Sequence, residues 1–183
     1  MLDEVHGTVV RHVRTPGEHD GLVGDALVTD LSGAVLGIWV GDCAPVGFAS
    51  ADGRIGAAHA GWKGIEAGVL QATVAALRRD PSTPLTAVLG PCIHPCCYEF
   101  GAADLDRLVD RYGAAVRGTT RTGRPALDVP AAVRAALAEV DVELTELPDG
   151  ESGCTGCDGD RWFSHRVRGE RGRQVMAVWK EVA

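Results

Sequence analysis

The sequence predicts an α/β fold of the α+β kind: one domain over residues 1–183, with a mixed β-sheet sandwiched by helices. Three observations predict it. Short apolar runs of strand length recur between residues 34 and 179, and stretches with helical spacing fall between them. An Asp52-Gly53 dipeptide joins two of the runs as a hairpin, so part of the sheet is antiparallel. Strands and helices that alternate loosely in this way pack as helices on the faces of a mixed sheet.

The elements follow in order. Thr15 to Gly21 is a polar loop rich in turn residues, and His12 and His19 beside or within it read as surface residues. Residues 34–40 form a continuous apolar run, as in a buried strand. Gly41-Asp42-Cys43-Ala44-Pro45 interrupts it, with a bend expected at Pro45. Val46 to Ala49 resumes as a strand, and Ile55 to His59 runs back. With Asp52 and Gly53 as a two-residue turn, Ala51 pairs with Arg54 and His59 lies opposite Val46. Cys43 is then three residues further along, roughly 10 Å by strand rise, at the same end of the sheet.

Residues 65–79 carry Ile65, Val69, Ala72 and Ala76 at helical spacing. That helix starts directly after His59-Ala-Gly-Trp, so its free N–H groups point toward the same end. Leu85 to Leu89 is a buried strand. Gly90 to Gly101 is irregular and rich in Gly, Pro and Cys. Residues 102–112 and about 130–140 are helical, the latter N-capped by Asp128 with Pro130 in its first turn. Val142 to Leu147 alternates like a strand. A Cys154-Thr-Gly-Cys157 loop, a turn near Gly169 to Gly172 and a strand from Val175 to Trp179 complete the chain.

Composition narrows the function. The 183 residues carry a formal net charge of −7, with 45% hydrophobic and 23% charged residues. An acidic chain lacks the basic face that binds a phosphate backbone, so no nucleic-acid partner is expected. No apolar stretch is long enough to span a membrane, and the first residues lack the basic and apolar regions of a secretory signal. The expectation is a cytoplasmic protein whose six cysteines are thiols or metal ligands; the sequence leaves the oligomeric state open, a monomer being one option.

His6, Cys43 and His59 each sit among small residues. Two imidazoles and a thiol can hold zinc and leave its fourth position open, provided the three meet. The hairpin brings Cys43 and His59 to one end of the sheet; periodicity says nothing about His6. A Cys43 nucleophile with a His59 base is an alternative, and a buried thiol beside a core histidine is the bland reading. Cys154-x-x-Cys157 with Cys92, Cys96 and Cys97 offers a structural zinc site, with His94 read as a loop residue. Lys63 and Arg166 are the better candidates to neutralise an anion, ahead of Arg161 and Arg168, although such residues usually form a solvated face. Asp42 and Glu99 are candidate acids, bases or ligand-orienting groups. Trp39, Tyr98, Trp162 and Phe163 are aromatic residues able to stack a base or fill a core.

The ordered combination of Val5-His6-Gly7, Asp42-Cys43-Ala44-Pro45, Ala57 to Gly64, Gly90-Pro91-Cys92-Ile93 with Cys96-Cys97-Tyr98-Glu99, and Cys154-Thr155-x-Cys157 followed by Phe163-Ser164-His165-Arg166 resembles the YfiH-like, laccase-domain family. That family is also described as multicopper polyphenol oxidases, purine nucleoside phosphorylases and peptidoglycan editing factors. The resemblance runs from about residue 4 to the C-terminus. It implies a zinc site on His6, Cys43 and His59. It also implies phosphorolysis of adenosine, inosine, guanosine or methylthioadenosine with phosphate, and adenosine deamination. Members usually carry a further stretch before the Val-His-Gly motif, which here begins almost at Met1. Glu4 stands where glutamine is common, and Gly41 where alanine is common.

On this reading Cys43, His59 and Asp42 carry the chemistry, Lys63 and Arg166 hold phosphate, and His6, Cys43 and His59 hold zinc. The alternatives are a copper-dependent polyphenol oxidase, for which six histidines are few, and a Cys43/His59 cysteine hydrolase acting on cell-wall precursors. A zinc-stabilised binding module is the non-enzymatic alternative.

Overall fold

A computed structural model describes residues 1–146 and 153–181. Its strands are β1 (Val10–His12), β2 (Ala26–Thr29), β3 (Leu36–Val40), β4 (Ala44–Ser50), β5 (Ile55–Ala60), β6 (Leu85–Leu89), β7 (Arg117–Thr119), β8 (Pro125–Leu127), β9 (Glu143–Glu146) and β10 (Gln174–Val178). Its helices are α1 (Trp62–Ala67), α2 (Val69–Leu77), α3 (Ala102–Tyr112), α4 (Val129–Ala138) and the single turn α5 (His165–Arg168). Six strands form one mixed sheet in the order β1-β2-β5-β4-β6-β9. Its two outer pairs, β1–β2 and β6–β9, are parallel, and the pairs between them are antiparallel.

Alternation along the strands sorts two cores. Val28, Val46, Phe48, Ala58 and Leu89 face Ile65, Leu70, Leu77, Val133 and Leu137 of the helices. On the other face, Leu27, Ile55 and Ala57 pack with Leu36, Ile38 and Val40. That second layer is the antiparallel ribbon of β3 and β10. The expected mixed α/β sheet is present, with helices layered on one face and a two-stranded ribbon on the other. Gly56 lets α2 close on β5: a Cβ there would meet Leu77 Cδ1 at 3.0 Å and the Leu27 carbonyl at 3.3 Å.

Two details differ from the sequence reading. The β4–β5 register is shifted by one residue: Pro45, not Val46, lies opposite His59. The turn has three residues, with Ser50 donating to the Arg54 carbonyl (2.8 Å) and Gly53 at φ 86° supplying the left-handed position of a bulged turn. The strand also runs through Pro45 without ending, since Ala44 still pairs with Ala60. Cys43 is therefore only two residues beyond the partner of His59.

The helix expected over 65–79 begins earlier and breaks. Gly68 adopts φ 97°, ending α1 by accepting the left-handed cap and starting α2 from the same residue. By contrast, β6 and α3 fall where the patterns place them. Asp128 caps α4 by accepting from the Ala131 N–H (2.9 Å). Leu147 lies outside the described residues. Among the described residues no helix is long and apolar enough to cross a membrane.

Candidate functional site

The chain before β1 reaches the sheet through one buried carboxylate. Asp25, fully buried at the start of β2, accepts from the main-chain N–H groups of His6 (2.8 Å) and Gly7 (2.7 Å), with Val5 at 3.4 Å. Successive N–H groups wrapped around an anion form a nest. His6 adopts φ 61°, a conformation that non-glycine residues rarely take unless their surroundings impose it. Asp25 imposes it, and thereby aims the His6 imidazole at the end of β5.

The same carboxylate holds His59. Asp25 Oδ1 lies 2.9 Å from His59 Nδ1, and the Asp25 carbonyl accepts from the His59 N–H (2.7 Å). With Nδ1–H donated to the carboxylate, Nε2 of His59 is left as the ligating nitrogen, the arrangement that orients metal-bound histidines. The His6 and His59 rings meet edge-on with centroids 4.8 Å apart. Cys43 Sγ is 3.7 Å from His6 Nε2. The backbone of Gly61 closes this contact, since a Cβ there would fall 2.4 Å from His6 Cδ2 and 3.2 Å from Cys43 Sγ.

Electrostatics follow the geometry. Burial pushes the Cys43 thiol up, but hydrogen bonding and charge from His59 and His6 bring it down to about 7. Burial pulls His59 down, yet Asp25 and Cys43 raise it to about 10. Bonding to Cys43 raises His6 against the pull of burial. Burial works to raise Asp25 too, and is outweighed by His59 and the Gly7 and His6 amides, so its carboxyl lies below its ordinary value. The donor atoms of His6, Cys43 and His59 lie within 4.8 Å of one another. Two imidazole nitrogens and a sulfur with this spacing fit a zinc ion with one position left open.

All three residues line a cleft of about 420 Å³ with Glu4, Trp39, Asp42, Trp62, Tyr98, His165, Arg166 and Arg173. Asp42 Oδ1 accepts from the Thr155 and Ser164 hydroxyls (both 2.7 Å) and its Oδ2 from the Arg166 N–H (2.7 Å), an arrangement that fits the orienting role among those its motif offers. These bonds fasten residues 155–166 against the Cys43 loop. The Arg166 guanidinium lies over Tyr98, 4.8 Å from the ring.

Lys63 lies off the cleft, its ammonium 5.5 Å from the Trp62 ring centre. Arg161 pairs with Asp158, and Glu99 with Arg124. Arg168 is held by the Thr155, Gly156 and Trp162 carbonyls and by Glu170. The sequence did not single out five residues as site candidates: Asp25, Glu4, Trp62, His165 and Arg173. The signal for Asp25 was a lone carboxylate inside the otherwise apolar run Gly24-Asp25-Ala26-Leu27-Val28. Glu4 accepts from the Trp39 N–H (2.9 Å), and burial raises its carboxyl pKa although His59 and that hydrogen bond oppose the rise.

Comparison with known proteins places this geometry. Residues 1–181 match the family described as multi-copper polyphenol oxidoreductase laccase. A Xylella fastidiosa (strain Temecula1) protein named purine nucleoside phosphorylase is 39% identical over 185 residues, spanning 97% of this chain and 70% of the relative. The Escherichia coli K12 protein named purine nucleoside phosphorylase YfiH is 33% identical over 181 residues, spanning 97% and 72%. The crystal structure of a Neisseria meningitidis protein superposes with a TM-score of 0.86 at 30% identity, over 99% of this chain and 74% of that one. YlmD from Geobacillus stearothermophilus gives 0.77 at 30% identity, over 97% and 72%.

Proposed function

The chain belongs to the multi-copper polyphenol oxidoreductase laccase family, and we propose that it is a zinc-dependent purine nucleoside phosphorylase. The observation that carries this reading is the meeting of His6, Cys43 and His59, braced by Asp25, at a cleft that also holds Arg166 and three aromatic rings. Relatives named purine nucleoside phosphorylase support the substrate class. Adenosine, inosine, guanosine and methylthioadenosine are the proposed nucleosides, with adenosine deamination as a second reaction in the same cleft.

Zinc held by His6, Cys43 and His59 would supply a Lewis acid and, from its bound water, a hydroxide near neutral pH. The protein's residues do the rest. Asp25 fixes the His59 tautomer and the His6 loop. Trp39, Trp62 and Tyr98 offer faces on which a purine stacks. Arg166 and Arg173 offer positive charge to phosphate, with His165 beside them as a hydrogen-bonding partner, and the phosphate oxygen attacks the anomeric carbon as the bond to the base breaks. Lys63 does not line the cleft; its ammonium lies beside Trp62 at the cleft's edge. Glu4, whose carboxyl pKa burial raises, would be the proton donor to the leaving base.

The test is product analysis. Adenosine and phosphate should give adenine and ribose 1-phosphate, and His59→Ala should lower the rate by at least about 10³-fold, the scale of losing a principal electrostatic contribution to a transition state. Undiminished activity in metal-free protein overturns the zinc scheme. Glu4→Gln should lower kcat while leaving KM near its wild-type value; an unchanged kcat removes Glu4 as the proton donor.

One observation favours a second reading. A Cys43 thiol lowered to about 7 beside two imidazoles is also a nucleophile–base pair, as a cysteine hydrolase acting on cell-wall precursors needs. Stoichiometric iodoacetamide labelling of Cys43 that substrate blocks and zinc does not would favour it. For the copper oxidase reading, the described residues offer two metal-competent groups, His6-Cys43-His59 and a set of four cysteines. Neither is the histidine-rich multinuclear centre that oxygen reduction requires. Elemental analysis separates zinc from copper.

A further inference from the structure

We propose that Cys96, Cys97, Cys154 and Cys157 bind a structural zinc ion, distinct from the His6–Cys43–His59 centre, that clips two loops together behind the cleft. The four sulfur atoms lie within 4.8 Å of one another. Cys96 Sγ is 3.8 Å from Cys97 Sγ, 3.7 Å from Cys154 Sγ and 3.4 Å from Cys157 Sγ, and Cys97 Sγ is 3.5 Å from Cys157 Sγ. A tetrahedral zinc with Zn–S bonds of about 2.3 Å places its sulfurs about 3.8 Å apart. The separations therefore already approximate the edges of that tetrahedron. None is near the roughly 2.05 Å of a disulfide, and all four cysteines are free thiols.

The chain around them is shaped for the same purpose. Residues 154–157 form a tight turn in which the Cys154 carbonyl accepts from the N–H groups of Cys157 (3.1 Å) and Asp158 (3.3 Å). Pro95–Cys97 form a turn of 3₁₀ helix. Gly156 lets the turns touch: a Cβ there would lie 2.8 Å from Cys97 Cβ and 3.0 Å from its sulfur. The sulfurs also receive donors. The His94 N–H points to Cys154 Sγ (3.4 Å) and the Arg121 guanidinium to Cys157 Sγ (3.2 Å). Four thiolates around one dication carry a net charge of −2, of which Arg121 offsets half. Cys92, which the sequence grouped with these, stays out: it is fully buried in the helix-side core and bridges to the Cys154 backbone.

Zinc binding here exchanges thiol protons for metal, Zn²⁺ plus four Cys–SH giving the tetrathiolate and four protons, with no redox change. All four positions are filled by protein, so the ion takes no part in chemistry and acts by closing loops. The residues it fixes reach the cleft. Tyr98 follows Cys97, and Thr155, between the paired ligands, donates to Asp42.

The test uses the full chain carrying Cys43→Ala and His59→Ala, which removes the other centre. This variant should retain one zinc per chain by elemental analysis, with an X-ray absorption first shell of four sulfurs at about 2.3 Å. Cobalt exchanged into it should show strong thiolate-to-metal charge-transfer absorption. Adding Cys157→Ser should abolish the bound zinc and lower Tm; if that protein does not fold, the absorption shell of the parent variant still decides. A variant without zinc, with nitrogen in the shell, with iron as the bound metal, or with these cysteines paired as disulfides overturns the proposal. Phosphorolysis is read separately: its absence in the native chain leaves this ion standing, and loss of this ion leaves the phosphorylase reading standing.

Discussion

The His6–Cys43–His59 centre and the four-cysteine cluster are assembled by opposite means. The first draws three ligands from three distant segments and holds two of them through a single buried carboxylate, Asp25. The second draws four ligands from two short turns and has main-chain and Arg121 donors around its sulfurs. A three-ligand centre on a cleft suits exchange of water and substrate, whereas a four-thiolate centre suits permanence. What the difference teaches is that the open centre depends on the sheet being folded, because Asp25 stands immediately before β2 and His59 lies in β5, which pairs with β2. The cysteine cluster has its turns joined locally, by the Cys92 N–H to the Gly153 carbonyl and the Thr155 N–H to the Cys92 carbonyl.

That contrast breaks most visibly at Asp25. Asp25→Asn keeps the shape and removes the negative charge that orients His59 and gathers the His6 and Gly7 amides. Zinc affinity at the open centre should fall about 10–100-fold, the range for losing a second-layer partner of a metal ligand, with the four-cysteine zinc unchanged. Competitive chelator titration measures both; equal loss from the two sites would show that Asp25 supports the fold in general.

Reactivity separates the sites next. In metal-free protein Cys43 lies at about 7, below the roughly 8.5 of an ordinary thiol. Because the folded value is the lower one, the stability from pairing the thiolate with His59 is fully present above the ordinary thiol value and is lost as pH falls through about 7. Iodoacetamide labelling of Cys43 should therefore reach half its maximum rate near pH 7, as read by mass spectrometry across pH 5–9, and zinc should suppress it. A midpoint at 8.5 or above would remove the paired thiolate. The smallest effect is a control. Asp128→Ala removes the α4 cap and should cost about 1 kcal/mol in denaturant unfolding while changing neither metal content. A change in bound zinc would mean that the centres share the global stability of the chain.

Local patterns placed β6, α3 and the Asp128 cap because each is decided by nearest neighbours in sequence. The hairpin register differs by one residue because Asp52-Gly53 suits both a two-residue turn and the last part of a three-residue turn; the Ser50 N–H bonded to the Arg54 carbonyl, with Asp52 outside the positive-φ region, distinguishes them. Apolar periodicity runs through Gly68 unbroken, so it could not reveal the left-handed break between α1 and α2. Cys43 and His59 were brought together by strand pairing, but His6 came only through family resemblance, since its contact spans the whole sheet edge. Asp25 shows in the sequence only as a lone carboxylate in an apolar run, and its role emerges when three amides and an imidazole close on it. Arg173 likewise reaches the cleft from the far end of the chain.

The central claim is that the Asp25-braced His6–Cys43–His59 centre holds zinc for phosphorolysis. Its most direct measurement is the rate of ribose 1-phosphate formation from adenosine and phosphate, in zinc-loaded protein and in the same protein stripped of metal. The account predicts product in the loaded protein, none above background in the stripped one, and recovery on adding back zinc. Equal rates in the two would contradict it.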